Sequence, residues 1–167
     1  MSGATHLPDI SAVKPAVVTF GVCATGDPRV DKASRERCVN IVRTIAGEIA
    51  ARVAMPDGTP VNVVWSSILI DGEKEADLVA QQFKEAGVDA IVCTPDTWAF
   101  PQLTLMSLLA QFPSDVPINV TCGNSAPKPG VVYAHAVNGA LSQSGRLTHL
   151  NIGTWPDTGS DPKPTAQ

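Results

Sequence analysis

Aromatic side chains are scarce in this chain: three tryptophans, one tyrosine and four phenylalanines, 5% of 167 residues. Charge is scarce too, at 17%, and nets to −4. No basic run or patch stands out, which argues against a nucleic-acid partner. No apolar run approaches the roughly 18–20 residues that span a bilayer. The first residues, MSGATHLPDISAVKP, lack the basic-then-apolar order of a secretory signal. Neither membrane insertion nor export is therefore expected. The four cysteines, Cys23, Cys38, Cys93 and Cys122, show no CxxC spacing, and three lie in or at the ends of apolar runs. That pattern predicts reduced, buried thiols in a cytoplasmic protein.

The familiar chemical motifs are missing as well. There is no GxGxxG, no GxxxxGK[ST] and no GxSxG, so dinucleotide, P-loop and nucleophile-elbow chemistry have no footing. His6, His135 and His149 form no HxH, HExxH or histidine–carboxylate cluster. The chain by itself is expected to bind no metal and to carry no catalytic group.

What is present is an alternation. Hydrophobic residues make up 44%, and a chain of this length forms one domain that buries roughly 70% of its unfolded surface. Apolar, β-branched runs at 16–24, 60–69, 89–94, 117–122 and 147–153 read as strands. Between them lie four helical patterns. The first, 34–53, places Cys38, Ile41, Val42, Ile45, Ile49 and Val53 on one line, with Ser34 as N-cap and Arg35 and Arg37 on the opposite face. The second, 73–87, lines up Ala76, Val79, Ala80 and Phe83 and closes at Gly87. The third spans 102–112 and the fourth 130–145. This βαβαβαβαβ order predicts an α/β, doubly wound, flavodoxin-like five-stranded parallel sheet in three α/β/α layers, with strand order 2-1-3-4-5. Residues 1–15 read as a polar arm, 16–155 as the α/β domain, and 156–167 as a flexible tail or truncated linker.

In such a sheet ligands gather at the carboxyl ends of the strands. Three loops end there: ATGDPRVD, PDTWAFP and GNSAPKPG. Arg29 in the first could grip hydroxyls or a carboxylate with parallel hydrogen bonds, or could simply pair with Asp27 or Asp31. Asn124, Ser125 and Lys128 in the third could bond a polyol, or serve the turn. Trp98 in the second offers an indole face to a sugar ring, or packs beneath the third helix or at a subunit contact.

Taken together, FGVCATGDPR with the helix ERCVNIVRTIAGEIA, then AIVCTPDTWAF, then NVTCGNSAPKPGVVYAHAVNGALSQSGRLTHLNIG, resemble the N-terminal domain of the L-fucose isomerase family over about residues 16–155. The resemblance implies a three-domain, hexameric aldose–ketose isomerase that depends on Mn²⁺ for the complete enzyme. Its metal ligands, two carboxylates and a histidine, would lie in later domains. It also implies a first domain that leans over a neighbouring subunit's active site, with Arg29 and Trp98 closing the sugar pocket; Asn124 and Ser125, from the third loop's own chemistry, are the further substrate-binding candidates. The implied partners are the sugar and the remaining isomerase domains or a partner chain, in a homo- or hetero-oligomer. The chain alone would be inactive. Two departures bear on which sugar is bound: the turn carrying Trp98 is a residue longer than in the family, and Cys23 stands where the family has a further arginine. The other reading of the residues is a free-standing flavodoxin-like module that binds a small ligand or regulates a partner.

Overall fold

The computed structural model describes residues 16–123 and 130–153. The elements are β1 Thr19–Thr25, α1 Lys32–Arg52, β2 Asn62–Ile70, α2 Glu73–Glu85, β3 Ala90–Cys93, a one-turn 3-10 segment Pro101–Leu103, α3 Leu105–Leu109, β4 Ile118–Cys122, α4 Gly130–Gln143 and β5 Thr148–Ile152. The five strands form one all-parallel sheet in the order β2-β1-β3-β4-β5. This is the doubly wound α/β architecture that the alternating pattern predicts. The arm at 1–15 and the tail at 156–167 lie outside the described residues.

The two faces of the sheet are unequal. One carries α2, α3 and α4, whose Val79, Phe83, Leu105, Leu108, Val137 and Leu141 pack onto Ile91, Cys93, Ile118 and Val120. The other carries α1, whose Cys38, Val42 and Ala46 pack onto Val22, Ala24, Leu69 and Val92. Helix α1 covers β1 and β2. Farther along the same face, Asn119 stands in register with Val92 on one side and His149 on the other. There the Asn151 amide donates to the Asn119 side-chain carbonyl at 3.1 Å, and Asn151 Oδ1 lies 3.2 Å from His149 Nε2. Among the described residues the strands thus read apolar where helices cover them and polar where no described helix lies.

Two helix limits differ from the sequence expectation. Helix α1 starts at Lys32, capped by Asp31 rather than Ser34: the Ser34 amide donates to Asp31 Oδ1 at 2.7 Å. A carboxylate one turn earlier takes the cap, and Ser34 becomes a first-turn residue. The expected helix over 102–112 is broken instead at Thr104, with φ −121° and ψ −101°. Thr104 Oγ1 donates to the Phe100 carbonyl at 2.8 Å and lies 2.9 Å from the buried Tyr133 hydroxyl. These side-chain bonds replace the helical ladder at that point. The short α3 that follows is closed from outside, because Arg146 Nη2 donates to the carbonyls of Leu109 and Phe112 and Nη1 to that of Pro113. Helices α2 and α4 are followed as predicted by Gly87 and Gly145, at φ +65° and +75°, the left-handed conformation that glycine adopts without strain.

Phe83 ties α2 to the sheet. Its ring lies 2.8 Å from where a Cβ on Gly21 would stand, so β1 has no side chain at that point and the ring fills the space. Phe83→Ala is expected to lower the unfolding free energy by about 3–5 kcal/mol in a denaturant titration, with the slope unchanged.

Candidate functional site

The carboxyl edge of the sheet is built from three strand ends, and two of their loops fall among the described residues. The loop after β1 is anchored where the Gly26 amide donates to the Ile70 carbonyl at 3.0 Å. Asp27 turns inward and is buried. It accepts from the Arg29 backbone amide at 2.8 Å, from Arg29 Nε at 2.7 Å and from Arg29 Nη2 at 2.6 Å. The Arg29 side chain nevertheless stays 78% exposed, and its Nη1 makes no hydrogen bond among the described residues. The pairing with Asp27 left open by the sequence is therefore present, and it holds the guanidinium plane while one edge stays accessible. The Arg29 side chain donating to Asp27 is the main reason that the carboxyl is lowered from its ordinary 3.8 to about 2, against the opposing effect of burial.

The loop after β3 is more constrained. Asp96 is 2% exposed, and a buried carboxylate needs a partner. The partner comes from α1. Arg37 Nη2 donates to Asp96 Oδ1 at 3.1 Å, and Arg37 Nε lies 2.9 Å from Oδ2. Arg35 and Arg37, expected on the face of α1 opposite its apolar line, are both engaged in ion pairs. Arg37 reaches over the sheet edge to Asp96, while Arg35 Nη2 bonds Asp71 and the Pro28 carbonyl. Cys38, beside Arg37, is fully buried, and burial pushes its thiol up to about 12, with the Asp96 charge adding to the rise. On the far side, Gly130 opens α4 against the backbone of Asp96. A Cβ there would stand 2.7 Å from the Asp96 carbonyl carbon and 2.9 Å from its oxygen.

Trp98 follows two residues later. It is half-buried and packed against the core cluster on the face that α2, α3 and α4 cover. Its ring meets Phe100 edge-on at 6.5 Å and Tyr133 edge-on at 6.4 Å, the geometry aromatic quadrupoles favour. Tyr133 is buried, and burial raises its hydroxyl above the ordinary phenol range. Because Thr104 donates its one proton to Phe100, the Tyr133 hydroxyl donates to Thr104. The core reading of Trp98 thus accounts for one part of its ring, and the exposed remainder stays available.

The third loop's candidates, Asn124 and Ser125, lie outside the described residues, as does Lys128. The cysteines are free and buried, as expected. Cys23 and Cys93 stand in register on neighbouring strands, with Cys23 inside the α2–α4 core. Among the described residues no group of three or more His, Cys, Asp or Glu side chains converges on a metal site, and no helix is long and apolar enough to cross a membrane. Sequence reasoning missed Asp96, Arg37 and Gly130. Asp96 reads as an ordinary turn residue, and nothing in the spacing links it to an arginine 59 positions away.

Two outcomes test this geometry. The folded pKa of Asp27 is depressed, so its pairing contributes fully above the ordinary carboxyl range and is lost as pH falls through about 2. A carboxyl-carbon NMR titration should show that low midpoint, and Arg29→Gln should return it toward 3.8. Gly130→Ala drives a methyl into backbone that cannot yield. It should destabilise the chain by about 1–3 kcal/mol in thermal or chemical unfolding and shift the Trp98 emission maximum.

The family model described as "L-fucose isomerase, first N-terminal domain" matches residues 17–166. Among curated proteins, the chain is similar to the L-fucose isomerases of Streptococcus pneumoniae strains CGSP14 and JJA, each 27% identical over 129 residues, or 75% of this chain. The match covers 21% of each relative, so the chain spans about a fifth of the length of the curated relatives it matches. With the parallel sheet and its three loops in place, the family match over nearly the whole chain has one meaning: this chain belongs to the L-fucose isomerase family, of which it carries the first N-terminal domain.

Proposed function

We propose that this chain is the sugar-covering domain of a metal-dependent aldose–ketose isomerase in the cytoplasm, contributing substrate and oligomer contacts to an active site completed by other domains or a partner chain. One observation carries this reading: an aromatic side chain is fixed half-exposed at the carboxyl edge of the sheet, in a chain that belongs to the family's first domain. The described residues offer no metal site. Mn²⁺ or another divalent ion would be held by the remainder of the enzyme, and no step of the chemistry is assigned to this chain.

Its residues have a different task. The exposed part of the Trp98 indole stacks on the apolar face of the sugar ring and excludes water from one side. Arg29, its plane set by Asp27, donates from its accessible edge to sugar hydroxyls. Asn124 and Ser125 add hydrogen bonds from the loop after β4. All four contacts hold the sugar in place while proton transfer between its first two carbons takes place elsewhere. Such contacts bind ground state and transition state alike, so their loss appears mainly in KM.

The test is isomerase activity and native mass of this chain with Mn²⁺ and a panel of aldoses including L-fucose, alone and with the remaining isomerase domains. Activity and a larger mass should appear only in the assembly. There, Trp98→Ala is expected to raise KM by about tenfold, the loss of one aromatic contact together with its apolar area. Isomerisation by the chain alone would overturn the reading, and so would an active assembly whose KM ignores both Trp98→Ala and Arg29→Ala.

A further inference from the structure

We propose that Arg37 and Asp96 are a positioning pair that sets the orientation of the Trp98 indole, a role that rests on Trp98 being the wall against the sugar. Three observations lead there. The indole N–H makes no hydrogen bond among the described residues, so no polar contact of the ring itself fixes its angle. The backbone on either side of Trp98 is fixed instead. Downstream, the Phe100 carbonyl is held by Thr104, which the buried Tyr133 holds in turn. Upstream, Asp96 is held by Arg37 at 2.9 and 3.1 Å, and its backbone lies against Gly130.

Trp98 is therefore suspended between two anchors, and the upstream one is electrostatic. Arg37 donates a hydrogen bond to Asp96, from Nη2 to Oδ1, and makes a further close charge contact, from Nε to Oδ2. Two contacts from one rigid, planar group restrict rotation as well as distance, which a point charge does not. The anchor is also stiff at its base. The first turn of α1 is capped by Asp31, and the helix is seated on the sheet through Cys38, Ile41 and Val42. Buried ion pairs add little net stability compared with apolar residues of similar size, and their best-attested use is to fix one arrangement among several. Here the arrangement is that of a turn with Thr97 alone between the anchored carboxylate and the aromatic ring.

The pair is tested by acrylamide quenching and fluorescence anisotropy of Trp98 in a full chain whose other tryptophans, Trp65 and Trp155, are replaced by Phe. Arg37→Gln and Asp96→Asn should each raise the quenching constant and lower the anisotropy, with far-UV circular dichroism unchanged. Arg37→Lys should recover only part of the change. In the assembled isomerase the same variants should raise KM for the sugar about threefold to tenfold, the range set by one aromatic contact, with a much smaller change in kcat. A lower melting temperature with unaltered Trp98 quenching would mean that the pair is merely structural and would overturn the proposal. Unaltered KM in Arg37→Gln, where Trp98→Ala raises KM, would overturn it too. Looser Trp98 in Arg37→Gln beside a Trp98→Ala that leaves KM unchanged sinks the sugar-wall reading and leaves the positioning pair standing.

Discussion

A carboxylate taken out of water at the point where β3 leaves the sheet constrains everything around it. Asp96 is buried against Arg37, which α1 brings to the right height, and that height follows from where the helix begins. Capping at Asp31 sets the rotational phase of α1, so that Arg37 points along the sheet edge while its neighbour Cys38 points into the core. The same carboxylate's backbone leaves α4 no room for a side chain at its first residue. Three elements distant in sequence therefore meet at one residue of a loop, and the position of Trp98 follows from their meeting.

The layered fold was legible in the sequence because it depends on periodicity. Val79, Ala80 and Phe83 line up at helical spacing and are buried as that spacing requires. The strand order 2-1-3-4-5 rests on analogy with flavodoxin-like sheets, because alternation alone allows other doubly wound orders, and it is the order observed. The failures have a common physical form. The helix at 102–112 broke because the Thr104 hydroxyl found partners on Phe100 and Tyr133, and Tyr133 is 29 residues downstream. Ser34 lost the cap to Asp31 through a competition between two good capping residues three positions apart. At the candidate site, Arg29 and Trp98 could be singled out because loops at strand ends and rare aromatics are visible in a single sequence. Arg37, Asp96 and Gly130 could not, since their roles exist only once α1, the loop after β3 and α4 have been brought together.

The two carboxylate–arginine pairs at this edge differ in what they constrain. Asp27 and Arg29 are two residues apart, so their contact closes only a small loop, and the arginine stays largely in water. The exposed edge of that arginine is open to a further acceptor and to screening by salt, while Asp27 keeps its plane. Arg37 and Asp96 join a helix to a loop 59 residues away, and there the arginine as well as the carboxylate is largely withdrawn from water. The edge thus presents an adaptable hydrogen-bond donor beside a rigid aromatic face. That combination suits a ligand whose hydroxyls vary in direction while its ring presents a constant apolar surface.

The sheet shows the same economy of side chains. With only a few large aromatics available, the chain places Phe83 against Gly21 and Tyr133 beneath Trp98, both on the face that α2, α3 and α4 cover. On the opposite face, among the described residues, β4 and β5 carry polar side chains: Asn151 bonds Asn119 across the two strands and contacts His149 along its own. The large aromatic rings of the core are therefore concentrated on the face that also supports Trp98. A half-exposed indole keeps its angle only if the surface supporting it does not move, and Trp98 rests on the larger of the two buried hydrophobic clusters. The scarcity of aromatics noted in the sequence and the rigidity of the candidate site are thus linked: two of the eight aromatic rings, those of Phe100 and Tyr133, hold a third in place.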